Sequence, residues 1–370
     1  MSAAAYLDYN ATAPLRPEAR DAMLAALAET GNASSVHGFG RAARARVEAA
    51  RAELAALIGA EPRQVIFTSG GTEANNLALS GSGRARLIVA AVEHDSVLAA
   101  APGAALIPVG TDGVVDLAAL ERLLAAEDRP ALVSVGLANN ETGVIQPIAE
   151  IAALAHGHGA LVHCDAVQAL GKIAVDWRAL GADYLSLSAH KIGGPQGVGA
   201  LVKSDAAPLL ARQKGGGQER GWRAGTENVP AIAGFGAAAA VAGRAMADYA
   251  GLALLRGTIE ARIAASAPAA RFFGQRSPRV ANTACFTMPG VASETQVIAL
   301  DLAGVAVSAG AACSSGKVKP SHVLRAMGAS EAEAGSAIRV SLGWDSREGD
   351  IERLIAAWTA LYRKSGARAA

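Results

Sequence analysis

Lys191 closes the tetrapeptide Ser188-Ala189-His190-Lys191, behind an apolar run and ahead of Ile192-Gly193-Gly194-Pro195-Gln196-Gly197. A lysine there stands at the carboxyl edge of a strand, where α/β folds place their ligands. Partly buried, such an amine sheds its charge readily and becomes a nucleophile suited to a Schiff base. An arbitrary loop lysine is more often simply solvated. A second segment, Thr68-Ser69-Gly70-Gly71-Thr72-Glu73, follows another apolar run and opens a helix. Its backbone amides and the Thr72 hydroxyl make an anion site suited to phosphate; capping of the helix by Thr72 is the plainer alternative. The third segment, Val162-His163-Cys164-Asp165-Ala166-Val167-Gln168, ends a strand on Asp165. A carboxylate in that position is costly without a partner. The partner is a magnesium ion, a helix N-terminus, or the protonated ring nitrogen of pyridoxal phosphate. A lysine, a phosphate loop and an aspartate, all at strand ends, together point to pyridoxal phosphate.

Such residues need a scaffold that brings strand ends together. Short apolar runs at Gln64–Thr68, Leu87–Val92, Ala105–Val109, Ala131–Leu137, Leu161–Asp165, Tyr184–Ser188 and Gly199–Lys203 alternate with helical stretches such as Arg41–Ile58, Asp116–Ala126 and Ile148–His156. Near-continuous apolar runs mark strands covered on both faces. The alternation predicts an α/β fold with a doubly wound, mostly parallel seven-stranded sheet. After Pro230 an Ala/Gly-rich segment leads into a helix over Tyr249–Ala265, strand-like pieces around Val280–Thr287 and a last helix over Asp350–Leu361. This texture predicts a smaller C-terminal α+β domain with its boundary near residue 250. The expected division is 16–250 for the large cofactor-binding domain, with 1–15 and 251–370 forming the small one.

Composition excludes several classes. The 370 residues are 51% hydrophobic and 18% charged, which supports a large core rather than disorder. Lys plus Arg is 34 against 33 Asp plus Glu, so the cationic footprint of a nucleic-acid binder is missing. The longest uncharged stretches, 96–111 and 228–243, fall short of the roughly 18–20 residues of a membrane span. The first basic residue is Arg16, so no signal peptide is expected at the start of the sequence. Three dispersed cysteines, Cys164, Cys285 and Cys313, form neither a disulfide framework nor a metal site and suit a reducing, cytoplasmic setting.

The chain resembles the class V aminotransferases and, within them, the NifS/IscS-type cysteine desulfurases. Matching segments run from Tyr6-Leu7-Asp8-Tyr9-Asn10-Ala11-Thr12 to Ile338-Arg339-Val340-Ser341-Leu342-Gly343. Between them lie Gly31-Asn32-Ala33-Ser34-Ser35-Val36-His37, Glu93-His94, Asn139-Asn140-Glu141-Thr142-Gly143, Gly215-Gly216-Gly217-Gln218-Glu219-Arg220-Gly221 and Arg223-Ala224-Gly225-Thr226. Two departures, Ala33 where the family often has proline and Leu137-Ala138 for a His-Val pair, remove no reacting group.

The resemblance implies the aminotransferase fold type I and a role for each matching residue. Lys191 carries pyridoxal 5'-phosphate as a Schiff base, and His94 stacks on the ring and serves as acid or base. Asp165 pairs with the ring nitrogen and Gln168 with the ring hydroxyl. Thr72, Ser188 and His190 hold the phosphate, with a backbone contact from Gly71. Thr226 reaches the phosphate of the neighbouring subunit, which implies a homodimer. Asn140 lies beside the cofactor, and Asn32 and Arg339 fix the substrate carboxylate. His37, His156, His158, His163 and His322 fall outside these roles and are expected to be structural.

Cys313 decides the chemistry within this family. Ser, Ala and Gly surround it from Ser308 to Gly316, giving little anchorage and suiting a loop that moves. A thiolate on such a loop can take the sulfur of a bound cysteine as a persulfide. Cys164 and Cys285 sit in apolar strand contexts and are read as packing. The expected activity is conversion of L-cysteine to L-alanine with sulfur passed to Cys313. An acceptor protein, an iron–sulfur scaffold or sulfur carrier, follows it. Iron–sulfur cluster assembly is the leading expectation, ahead of tRNA or cofactor thiolation and DNA sulfur modification. The rivals are a selenocysteine lyase, a cysteine sulfinate desulfinase and a catalytically silent sulfur carrier; the intact Lys191, His94, Asp165 and Cys313 weigh against the last.

Overall fold

The computed structural model describes residues 4–310 and 320–369. Seven strands form one sheet in the order Val65–Thr68, Gly199–Lys203, Tyr184–Ser188, Leu161–Asp165, Ala131–Gly136, Arg86–Ala90, Ala105–Ile107. The last five run parallel, and Gly199–Lys203 is antiparallel to both of its neighbours. Successive side chains enter opposite cores. Ile88, Val133 and Leu185 pack on one face, and Val89, Leu132 and Tyr184 on the other. Burial on both faces is why these strands read as continuous apolar runs. Several expected strands stop earlier than their apolar runs. The ladder ends at Ala90, Ile107 and Gly136 rather than Val92, Val109 and Leu137. There the backbone leaves the sheet to build loops at its carboxyl edge.

The alanine- and glycine-rich segment forms the helix Val229–Arg244, which packs on Gly38–Ile58 and Pro17–Leu27. Small residues let these helices approach closely: a Cβ on Gly236 would fall 2.6 Å from the Cα of Ala50. The chain then bends by 68° into Met246–Ser266, and no single helix among the described residues is long and apolar enough to cross a membrane. Residue 250 lies inside Met246–Ser266, so no loop marks the expected boundary.

A second core gathers Ala5, Leu7, Ile259, Ile263, Phe286, Ile338, Leu354 and Trp358. Its sheet runs Ser308–Ala309, Ala337–Ser341, Thr283–Thr287, Phe272–Phe273, all antiparallel. The N-terminal strand Ala5–Tyr6 joins this unit by pairing in parallel with Val305–Ala306. The last helix is longer than its expected range, running Glu348–Ala369, because Arg, Lys and Ala past Leu361 sustain helix.

Candidate active site

A cavity of about 360 Å³ opens where the strands Leu161–Asp165 and Tyr184–Ser188 end, facing Arg339 of the second sheet. Gly71, Thr72, Ser188 and His190 line it together. The helix Gly71–Gly81 starts behind Gly70 with no side-chain cap, so capping by Thr72 is not what the structure has. Its first amides are left for an anion. A Cβ on Gly71 would crowd Val167, falling 2.8 Å from its Cγ2. His190 places Nδ1 3.1 Å from Thr12 Oγ1, and burial with Lys191 and Lys172 nearby lowers its pKa to about 4. It is therefore neutral at pH 7.

Lys191 lies on the turn Ala189–Lys191 directly after its strand. Its Nζ donates to the backbone carbonyls of Asn10, at 2.5 Å, and Ala11, at 2.9 Å. Burial, then the positive charge of Arg339, brings its pKa down from 10.5 to about 8. The amine is thus easily deprotonated, as a nucleophile or base requires.

On the opposite wall Asp165 accepts from the Val167 amide at 2.9 Å and from Asn75 Nδ2 at 2.8 Å. Asn75 also donates to Ser96 Oγ at 2.8 Å, and Ser96 Oγ lies 2.9 Å from His94 Nδ1. The Ser96 amide donates to the same nitrogen at 3.1 Å. Nδ1 is thereby occupied as an acceptor, which leaves the proton of a neutral His94 on Nε2. Behind Asp165, buried Glu93 accepts from the Gly136 amide at 2.7 Å. Burial, and secondarily the charge of Asp165, raises its pKa to about 8, so it stays protonated at neutral pH.

Arg339 is fixed from two sides. Its Nη2 pairs with Asp8 at 2.8 Å and its Nη1 donates to the Asn140 carbonyl at 3.1 Å. Asp8 in turn accepts from Ser308 Oγ at 2.8 Å. Ser308–Ala309 is a strand paired with Ile338 and Arg339, so the segment expected to be a loop from Ser308 is anchored at its start.

Lys191, His94, Asp165 and Gln168 thus share one cavity with the phosphate-side residues, Asn140 and Arg339. Asn32 and Thr226 do not reach it. Both are exposed elsewhere on the chain, and the Asn32 side chain accepts from the Ser34 amide. Cys313 lies outside the described residues. Cys164 and Cys285 are free and buried, and burial pushes both thiols up, as packing residues require. His163 is held between Ser134 and Ser186 in the sheet, with a pKa lowered by burial to about 4.

Asn75, Glu93 and Asp8 have no role assigned from the sequence, although Glu93 and Asp8 stand inside its motifs. His322, with the structural role expected of it, places Nε2 2.9 Å from the Glu93 carbonyl, and it also lines the cavity. Glu93 adjoins a motif histidine, the one local signal available for it. The donor set fits pyridoxal phosphate. There is a deprotonatable lysine, a carboxylate for a ring nitrogen, an uncapped helix start with a glycine cradle, and, on the lining residue Asn75, a buried Oδ1 that has no partner among the described residues. Lys191 would hold the aldehyde carbon, Asp165 the ring nitrogen, and Gly71, Thr72, Ser188 and His190 the phosphate.

The Aminotransferase class-V family model matches residues 5–354. The chain is 45% identical over 365 residues to a cysteine desulfurase of Cereibacter sphaeroides, covering 95% of this chain and 93% of that protein. It is 41% identical to an IscS-like cysteine desulfurase of Mycobacterium tuberculosis, covering 94% and 93%. Among solved structures, a NifS-like protein from Rickettsia africae superposes with a TM-score of 0.90 at 37% identity, covering 97% of this chain and 99% of that one. The chain belongs to the class-V aminotransferase family, among its pyridoxal phosphate-dependent cysteine desulfurases.

Proposed function

We propose that this cysteine desulfurase takes sulfur from L-cysteine onto Cys313 and releases L-alanine, with Lys191, His94, Asp165 and Arg339 as its working residues. The observation that carries the reading is the convergence of a lysine of lowered pKa, an aspartate and an uncapped helix start in one cavity. When bound, pyridoxal phosphate supplies the electron sink for bonds broken next to the amino group. Arg339, oriented by Asp8 and the Asn140 carbonyl, holds the substrate carboxylate through donors these contacts leave over; its Nε is buried without a partner among the described residues. Lys191, free as an amine near pH 8, takes the α-proton at Nζ. Asp165 keeps a proton on the ring nitrogen, and His94 presents Nε2–H to the cavity.

Sulfur leaves when the Cys313 thiolate attacks the substrate Sγ. The S–S bond forms as Cβ–Sγ breaks, and Cβ takes a proton, so alanine and a persulfide account for all atoms. Gly310 lines the cavity, and three residues of chain span at most about 11 Å, which supports Cys313 as the acceptor. Alanine release from L-cysteine by wild type and Cys313→Ser tests the reading.

Residues 16–250 serve as the cofactor-binding unit, with 1–15 and 251–370 as the smaller one. The active species is a homodimer in which Thr226 completes the phosphate site of the partner; its exposure, away from the cavity, supports this. The sulfur passes to an acceptor protein of the cytoplasm, with iron–sulfur cluster assembly as the leading destination.

A further inference from the structure

Lys172 is buried, does not line that cavity and has no carboxylate partner among the described residues. Its Nζ donates to Gln168 Oε1 at 2.6 Å and to Asn10 Oδ1 at 2.7 Å. Two donors and two acceptors match a neutral amine, and burial does push its pKa well below the lysine range. Gln168 Nε2 donates to the Asn10 carbonyl at 2.9 Å, the same carbonyl that receives Lys191 Nζ. Asn10 is itself pinned by Asn282 Nδ2 at 3.0 Å and by donation to Thr283 Oγ1 at 2.9 Å. Both ends of the Gln168 amide are therefore specified. Oxygen faces Lys172 and nitrogen faces Asn10, and one N–H of Nε2 remains for the cavity that Gln168 lines.

We propose that Lys172 is a positioning residue for the cofactor: it locks the Gln168 amide so that an N–H, not a carbonyl, meets the ring hydroxyl. This rests on the reading that Gln168 faces that hydroxyl. A buried lysine bound only to neutral groups costs stability that an apolar residue of its size would spare, so its presence calls for a task beyond packing. The N–H it orients stabilises the ionised ring oxygen. Without that donor the oxygen becomes more basic and retains the proton it shares with the cofactor–Lys191 linkage. The charges facing this cluster are Lys191, Arg339, Asp8 and Asp165, with neutral His190 beside them and Arg16, Tyr9 and Tyr249 around a small void that Lys172 and Lys191 also line.

The test titrates the visible absorption of the holoenzyme against pH for wild type, Lys172→Met, Gln168→Leu and the double variant, with circular dichroism and thermal unfolding as folding controls. Methionine fills nearly the lysine volume. Lys172→Met should raise the absorption midpoint by about one pH unit, the size of one lost hydrogen bond to a charged oxygen. Gln168→Leu should raise it at least as far, and the double variant should match Gln168→Leu alone, because Lys172 acts only through Gln168. A shifted midpoint in Gln168→Leu with none in Lys172→Met overturns the positioning role. So does a double variant whose shift is the sum of the two. No shift in either single variant overturns instead the placement of Gln168 on the ring hydroxyl. If Lys172→Met fails to fold, Gln168→Glu decides the matter: a carboxylate beside Lys172 should draw a proton onto its amine and move the midpoint up, and an unmoved midpoint counts against the proposal.

Discussion

Asp8 and Arg339 meet in a largely buried ion pair of 2.8 Å between residues 331 positions apart in the chain. The pair ties the N-terminal segment to the strand Ala337–Ser341. Through Ser308 it also ties both to the stretch leading toward Cys313. Arg339 thus waits in a fixed orientation rather than being recruited by substrate, which spares the entropy of ordering it on binding. Asp8→Asn should keep cofactor binding and lower kcat/KM for L-cysteine about 10-fold, mostly through KM, because uniform binding of the carboxylate is what weakens. Steady-state alanine formation gives the split; an unchanged KM with a fallen kcat would assign Asp8 a different role.

Lys191→Ala should abolish both turnover and covalent retention of the cofactor. Borohydride reduction followed by peptide mapping reads the second. A label that persists in the variant at another lysine would move the covalent attachment site away from the turn Ala189–Lys191.

Cys313→Ser should fold, bind cofactor and bind L-cysteine while losing sulfur removal, since a hydroxyl forms no persulfide. The loss should be far smaller with selenocysteine or cysteine sulfinate, whose leaving groups depart without a thiolate acceptor. Alanine release from the three substrates under reducing conditions checks this. Wild-type rates from L-cysteine in the variant would favour the lyase alternative.

Glu93 makes stability pH-dependent. Its folded pKa, about 8, lies above the ordinary 4.5, so the folded protein binds the extra proton between these values. Stability from this group is therefore full below about pH 4.5 and is lost progressively as pH rises through 8. Glu93→Gln keeps an acceptor for the Gly136 amide and removes the titration. Its Tm relative to wild type should climb from pH 5 to pH 8.5, and a pH-independent difference would mean that Glu93 is ionised throughout.

Thr226→Ala should loosen the cofactor without altering the persulfide chemistry, while the enzyme sediments as a dimer. Equilibrium dialysis of the cofactor and sedimentation velocity measure the two. A fully active monomer would end the idea of a residue acting across an interface.

Lys191, Asp165, Thr72 and Gly71 were legible in the sequence because each sits at the end of an apolar run or the start of a helix. In a parallel α/β sheet those ends converge on one edge whatever the loops do, so local pattern and fold class suffice to bring them together. Family resemblance added His94, Gln168 and Arg339 in the same way, as fixed points in one order of motifs. The partners of these residues were not legible. Asn75 reaches Asp165 across 90 positions, Gln168 reaches Asn10 across 158, and Asp8 reaches Arg339 across 331. No periodicity encodes such contacts, because a hydrogen bond depends on where two elements cross and not on what lies between them in the chain. The protonation states follow the same logic. Lys172, Lys191 and Glu93 are ordinary letters in the sequence, and only their burial, with the charges that burial sets beside them, makes two of them poor cations and the third a neutral acid. Which residues can do the chemistry was determined along the chain; how each is held, and in which charge state, was decided by packing in three dimensions.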